Sequence, residues 1–256
     1  MKRFCVSMLL TAALLVPSVA AQEITVASAA DLQFAFRDVA ARFEKETGKH
    51  VKLIFGSSGN FFTQIQNGAP FDLFFSADID YPKKLEAADL AEPGTLYPYA
   101  TGKLVLWVRN ESKLDLSRGL RVLLDPSVGK IAMANPEHAP YGRAAVAAMR
   151  HEGVYDKVSG KFVLGENISQ TASFVVSGSA DIGIVALSLA LAPSIKEKGR
   201  YVEVPANEYP PIEQAAVILK TSGNKQTAQQ FLAFVKSPAI AELLRQYGFA
   251  AGKIEP

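Results

Sequence analysis

From Glu23 onward the chain keeps changing period, and this constrains its fold more than any other feature. Short apolar runs (EITVASA, VKLIF, FDLFFSAD, KLVLWVR, KIAMANP, KFVLGEN, ADIGIVALS, EQAAVILK) alternate with segments of helical spacing. In DLQFAFRDVAARFEKETG, Leu32, Phe36, Val39 and Phe43 share one helical face and Gly48 follows as a stop. NFFTQIQNG, YPKKLEAADL, YGRAAVAAMRHEG and ISQTASFVVSG read as further helices, and KQTAQQFLAFVKS and AIAELLRQYG close the chain as two more. Such alternation predicts an α/β fold in which helices flank mostly parallel sheets. The chain has no internal repeat, low-complexity tract or flexible linker.

Without a linker, a division into two lobes requires strand-like crossings. The sequence places these near 101–103 and near 208–213, where Pro210 and Pro211 punctuate. The expected lobes are then 22–101 with 211–256, and 102–210. Two crossings make a hinge, and a cleft between lobes is a favoured place for a ligand.

The first stretch, MKRFCVSMLLTAALLVPSVAAQE, has Lys2 and Arg3, a short apolar core and small residues at Ser18, Ala20 and Ala21. This is the pattern of a cleaved secretory leader over 1–21, and the apolar run is too short for a membrane span. Export as a soluble protein is the expectation. Cleavage also removes Cys5, the single cysteine, so the mature chain must stand on its hydrophobic cores. Removing Lys2 and Arg3 from 27 basic residues leaves 25 against 25 acidic ones. A nucleic-acid binder would show a basic excess, so that class is set aside.

Catalytic constellations are poorly represented. His50, His138 and His151 lack metal-ligand spacing, and His138 reads as a hydrogen-bonding loop residue. In FGSSGN, Gly56 and Gly59 stand one position too close for a nucleophile elbow, and no phosphate-loop lysine follows. A serine hydrolase using Ser57 or Ser58 would need a histidine brought close by folding. A carboxylate binder would need an arginine fork. Arg143 is the candidate near a loop, and it reads as a solvated helix residue.

What recurs is a strand running into a small or polar loop that opens a helix, at Ala30–Asp31, Ser57–Ser58, Tyr141–Gly142 and Asn167–Ile168. A helix start leaves backbone N–H groups unpaired and carries partial positive charge. Any one of these starts reads as an ordinary cap. Four converging on one cleft would form a neutral, donor-only anion site.

ITVASAADLQFAFRDVAARFEKETG, FGSSGNFFTQIQNGAPFDLFFSAD, TGKLVLWV, ANPEHAPYGRAA, GENISQTASFV and ADIGIVALS occur in the order and spacing of a known family. Across essentially the whole mature chain they resemble the periplasmic molybdate-binding proteins of ABC importers. The resemblance implies the two-lobed periplasmic-binding-protein fold of type II, with molybdate or tungstate in the cleft as an oxyanion. It implies no cofactor and no direct metal ligand, a membrane permease as partner, and a monomer that binds rather than catalyses. The family's ligand loops fall on Ala30 and Asp31, on Ser57 and Ser58, on Tyr141 and on Ile168. Sulfate, phosphate or chromate is the alternative cargo.

Two departures from the family pattern bear on the site. Some members carry a ligand-contacting tyrosine where this chain has Ala186, and others carry one in the third loop, as Tyr141 stands here. Tyr141 is therefore expected to act as a lid or wall. Asp31 stands where many members are neutral, and its carboxylate is expected to cap its own helix through the N–H of Gln33 or Phe34.

Overall fold

The computed structural model describes residues 23–252, so the expected leader and Cys5 lie outside the described residues. In chain order, β1 (Glu23–Ala29) leads through a 3-10 turn at Ala30–Leu32 into α1 (Gln33–Thr47), followed by β2 (His50–Gly56) and α2 (Ser58–Gln66). Next come β3 (Leu73–Ser76), α3 (Asp80–Ala87), β4 (Tyr97–Gly102) and β5 (Leu104–Arg109). A kinked 3-10 stretch at Leu116–Leu124 precedes β6 (Ile131–Ala134), α4 (Pro140–His151), α5 (Tyr155–Val158), β7 (Phe162–Gly165) and α6 (Ile168–Val176). The rest is β8 (Ile182–Ala186), α7 (Leu187–Ala190), α8 (Pro193–Lys196), β9 (Gly199–Glu203), β10 (Ile212–Ile218), α9 (Lys225–Val235), α10 (Pro238–Gln246) and β11 (Ala250–Ala251).

These strands form two sheets. One has the order β11-β4-β10-β3-β1-β2 and the other β7-β6-β8-β5-β9. The sheets are equivalent in plan. β1 pairs in parallel with β2 and β3, and β6 pairs in parallel with β7 and β8. The two-lobed α/β arrangement stands, but the expectation of mostly parallel sheets needs correction. Each sheet is mixed, because β10 runs antiparallel to β3 and β4, and β5 runs antiparallel to β8 and β9. The reason is topological: β10 and β5 are the strands that enter each sheet directly from the other, without a helical return.

The chain passes between the sheets twice. Lys103 alone separates β4 from β5, and 204–211 separates β9 from β10. The two passages brace each other, since the Leu104 N–H donates to the Tyr209 hydroxyl at 3.1 Å.

Each sheet buries apolar side chains on both faces. In the first, Phe36 and Phe43 of α1 meet Phe75 of β3 and Phe231 of α9 edge to face, with Phe36 and Phe75 centroids 4.7 Å apart. Such pairs add about 0.5–1.5 kcal/mol beyond their area burial. Its opposite face packs Phe61, Ile65, Phe74 and Leu85 under α2 and α3. The second sheet supplies a core that runs from Trp107 and Met149 to Ala29, Ala30 and Ala77 of the first, so apolar contact is continuous across the lobes.

Candidate functional site

The carboxyl ends of the parallel strands point their loops at one place. β1 ends at Ala29 and β2 at Gly56, while β6 and β7 end at Ala134 and Gly165, and each is followed by a helix start. One small cavity, about 200 Å³ counted to the protein atoms, is lined by Ala30, Asp31, Ser57, Ser58, Tyr141 and Ile168. These are the six residues selected from the sequence. Ala29, Gly56, Ala77, Ala139 and Pro140 complete the lining and were not selected.

Donors dominate this lining. Ser57 occupies the N-cap of α2 in extended conformation, yet its side chain makes no capping bond, and its buried Oγ has no partner. Ser58 Oγ accepts the Ala77 N–H at 2.9 Å, which leaves its own proton for another acceptor. The α4 start has no side-chain cap and has Pro140 at its first position, so Tyr141 is the first residue there to offer an N–H. At α6, Asn167 accepts the N–H groups of Ser169 and Gln170 at 3.0 Å each, leaving Ile168 uncapped. First-turn N–H groups have no partner within their helix, so all four starts retain donors.

The glycines of FGSSGN serve close approach. A Cβ on Gly56 would lie 2.9 Å from the Phe61 ring. One on Gly59 would lie 2.6 Å from the His138 carbonyl oxygen of the other lobe, which accepts the Gly59 N–H at 2.9 Å. Gly102, at the first crossing, faces the Tyr141 hydroxyl so closely that a Cβ would stand 2.1 Å from it.

Asp31 departs from expectation. Its carboxylate does not cap its helix, because the first turn is a 3-10 turn in which the Gln33 N–H is already spent on the Ala30 carbonyl. Instead Oδ2 accepts the Tyr141 hydroxyl at 2.9 Å and Gln214 Nε2 at 2.6 Å. Tyr99 donates to Gln214 Oε1 at 2.8 Å, and the Ser188 hydroxyl donates to the Asp31 carbonyl at 2.8 Å. Asp31 Oδ1 is buried with no partner at hydrogen-bond geometry. Burial pushes the Asp31 carboxyl up to about 6 from the ordinary 3.8, against the lowering effect of Gln214, Tyr141 and the nearby N–H groups of Asp31 and Leu32. Burial, then the Asp31 charge, holds the Tyr141 and Tyr99 hydroxyls well above their usual range.

Gln214 and Tyr99 were missed by sequence reasoning. The signal for Gln214 was an amide inside the apolar run EQAAVILK, where a fully buried polar residue must find partners. Tyr99 offered none.

Other candidates lie elsewhere. Arg143 is a half-exposed helix residue that also reaches across the lobes to Asp78 and to the Tyr81 hydroxyl and ring. Its groove, about 830 Å³ on the same measure, shares Ala77 and Pro140 with the small cavity. It also carries Asp78, Asp80 and Glu213, which would repel an anion. His138 meets the Glu166 carbonyl at 3.0 Å, as a loop hydrogen-bonder should. No histidine lines the cavity, and Ser57 has no base beside it, so the hydrolase arrangement is not formed.

Two lobes of one α/β plan, each aiming two helix starts into a shared buried cavity, define a two-lobed solute-binding protein. The family description of bacterial extracellular solute-binding proteins matches residues 24–250. The molybdate-binding protein ModA of Rhodobacter capsulatus is 40% identical over 90% of this chain and 89% of its own. That of Azotobacter vinelandii is 39% identical over 94% of each chain. The solved Azotobacter vinelandii periplasmic molybdate-binding protein superposes with a TM-score of 0.85 at 36% identity, over 90% of this chain and 100% of that one. The chain belongs to the bacterial extracellular solute-binding protein family, among its molybdate-binding proteins. The sulfate-binding protein SubI of Mycobacterium tuberculosis, at 17% identity and a TM-score of 0.74, shares the fold.

Proposed function

We propose that this chain captures a tetrahedral oxyanion, molybdate and also tungstate, between its lobes and delivers it to the membrane permease of an ABC importer. The observation that carries this reading is the lining of the cavity: four helix starts and two serine hydroxyls, with no lysine, arginine or histidine. The N–H groups of Ala30, Asp31, Tyr141 and Ile168 and the hydroxyls of Ser57 and Ser58 would each meet a ligand oxygen. These donors hold oxygens and do not coordinate the metal. Similarity to curated molybdate-binding proteins over most of the chain supports the choice of anion.

The act is capture, with neither a chemical step nor a cofactor. Lobe 22–101 with 211–256 and lobe 102–210 close about the two crossings, as in hinge closure of periplasmic binding proteins. Expelling water strengthens each donor's hold on the anion. The protein works as a soluble periplasmic monomer after its leader is removed. Among the described residues no helix is long and apolar enough to cross a membrane.

Thermal shift with molybdate, tungstate, sulfate, phosphate and chromate in parallel tests the assignment, since a ligand that binds only the folded state raises its melting temperature. Stabilisation by molybdate and tungstate alone is expected. Stabilisation by sulfate alone would reassign the cargo, and no response to any anion would overturn the reading.

A further inference from the structure

The Asp31 carboxyl has a place in capture that a cap would not have. Both of its side-chain hydrogen bonds fall on Oδ2, from Tyr141 and from Gln214. The Tyr99 hydroxyl holds Gln214 by its Oε1, which turns Nε2 toward Asp31. Oδ1 is left buried without a partner, on a residue that lines the cavity and is 1% exposed. The nearby N–H groups of Asp31 and Leu32, which favour its charge, belong to the first turn that an entering anion would use.

The titratable groups facing Asp31 are Tyr141 from α4 and Tyr99 from β4, and both stay neutral because burial and the Asp31 charge oppose their ionisation. The other neighbours, Gln214 from β10 and Ser188 from α7, carry no charge. No cationic side chain lines the cavity. A dianion arriving here would add like charge beside a buried carboxylate and compete for the N–H groups that favour it. Both effects stabilise the neutral acid, and no neighbour other than a proton can supply the compensating charge.

We propose that oxyanion capture takes up one proton from solvent onto Asp31 Oδ1, and that the neutral carboxyl then donates from Oδ1 to a ligand oxygen. This rests on the oxyanion reading above. Above the range in which the free carboxyl titrates, each unit of pH must cost about tenfold in affinity, because one proton is bound with each anion.

Titration calorimetry of the full mature chain with sodium molybdate at pH 7.5, in HEPES and in Tris, counts the protons from the dependence of heat on buffer ionisation enthalpy. Uptake close to one proton is expected, with affinity falling about tenfold from pH 7 to pH 8. D31N, whose amide copies the neutral acid, is expected to take up none, to lose the pH slope and to bind more tightly than the wild type at pH 8. Molybdate binding by the wild type without proton uptake overturns this inference alone, whether or not D31N folds. Persistence of the pH slope in D31N overturns it too. Absence of molybdate binding overturns the functional reading and this inference with it.

Discussion

The Tyr141 hydroxyl of one lobe donates to Asp31 Oδ2 of the other at 2.9 Å, beside the cavity that both residues line. Under the proposed function Tyr141 has two separable parts, a backbone N–H offered to the ligand and a side chain that ties the lobes together. Y141F keeps the first and removes the second. A buried hydrogen bond of this kind contributes about 1 kcal/mol net, so molybdate affinity should fall roughly fivefold by calorimetry. An unchanged affinity would mean that this contact plays no part in closure.

The two serines should separate ligand loss from stability loss. Ser57 Oγ has no protein partner, so S57A should weaken molybdate binding while leaving the ligand-free melting temperature within about 1 °C, consistent with a substitution that breaks no internal contact. Ser58 Oγ also satisfies the Ala77 N–H, so S58A should weaken binding and cost about 1–3 kcal/mol of stability as well. Urea denaturation of both variants, with and without molybdate, checks the contrast.

Gly59 should act on closure. Its missing Cβ permits approach to the His138 backbone of the other lobe. G59A should hold the lobes apart without disturbing either core. Small-angle scattering should show a larger radius of gyration for G59A than for wild type in saturating molybdate, and affinity should fall at least tenfold.

Asp31 should also leave a signature in the ligand-free protein. Its carboxyl is raised to about 6 when folded and lies near 3.8 when unfolded, so the folded chain binds more protons between those values. Stability contributed by this group is therefore present at pH 4 and is lost as pH rises to about 6, by up to roughly 3 kcal/mol. The exposed Asp115 and the half-buried Asp125 work the other way, since hydrogen bonds from Ser117 and Ser127 lower them. The difference between wild type and D31N in urea isolates the Asp31 contribution, and a difference flat from pH 4 to pH 6 would contradict it.

Legibility in the sequence followed the range of the interactions. β1 was legible because apolar density and its neighbouring helix are local signals, and α1 because its period and Gly48 stop are local too. The four loops were legible because strand, small residue and helix start sit next to one another. Ser57 shows what local reading leaves open: a serine at an N-cap position ordinarily caps, and here its Oγ does not. The Asp31 carboxylate was misread for a related reason. Its partners, Tyr141 and Gln214, lie 110 and 183 residues away, and no local pattern reports them. β4 and β9 were missed as strands, since their pairing is set by β10, β11 and β5 rather than by their own alternation.

The most direct test of the account is a crystal of the mature protein grown with molybdate and measured at the molybdenum absorption edge. One anomalous peak is expected in the cavity, with ligand oxygens within hydrogen-bond distance of the Ser57 and Ser58 hydroxyls and the N–H groups of Ala30, Asp31, Tyr141 and Ile168. A peak in the Arg143 groove, or a protein that binds no molybdate, would contradict it.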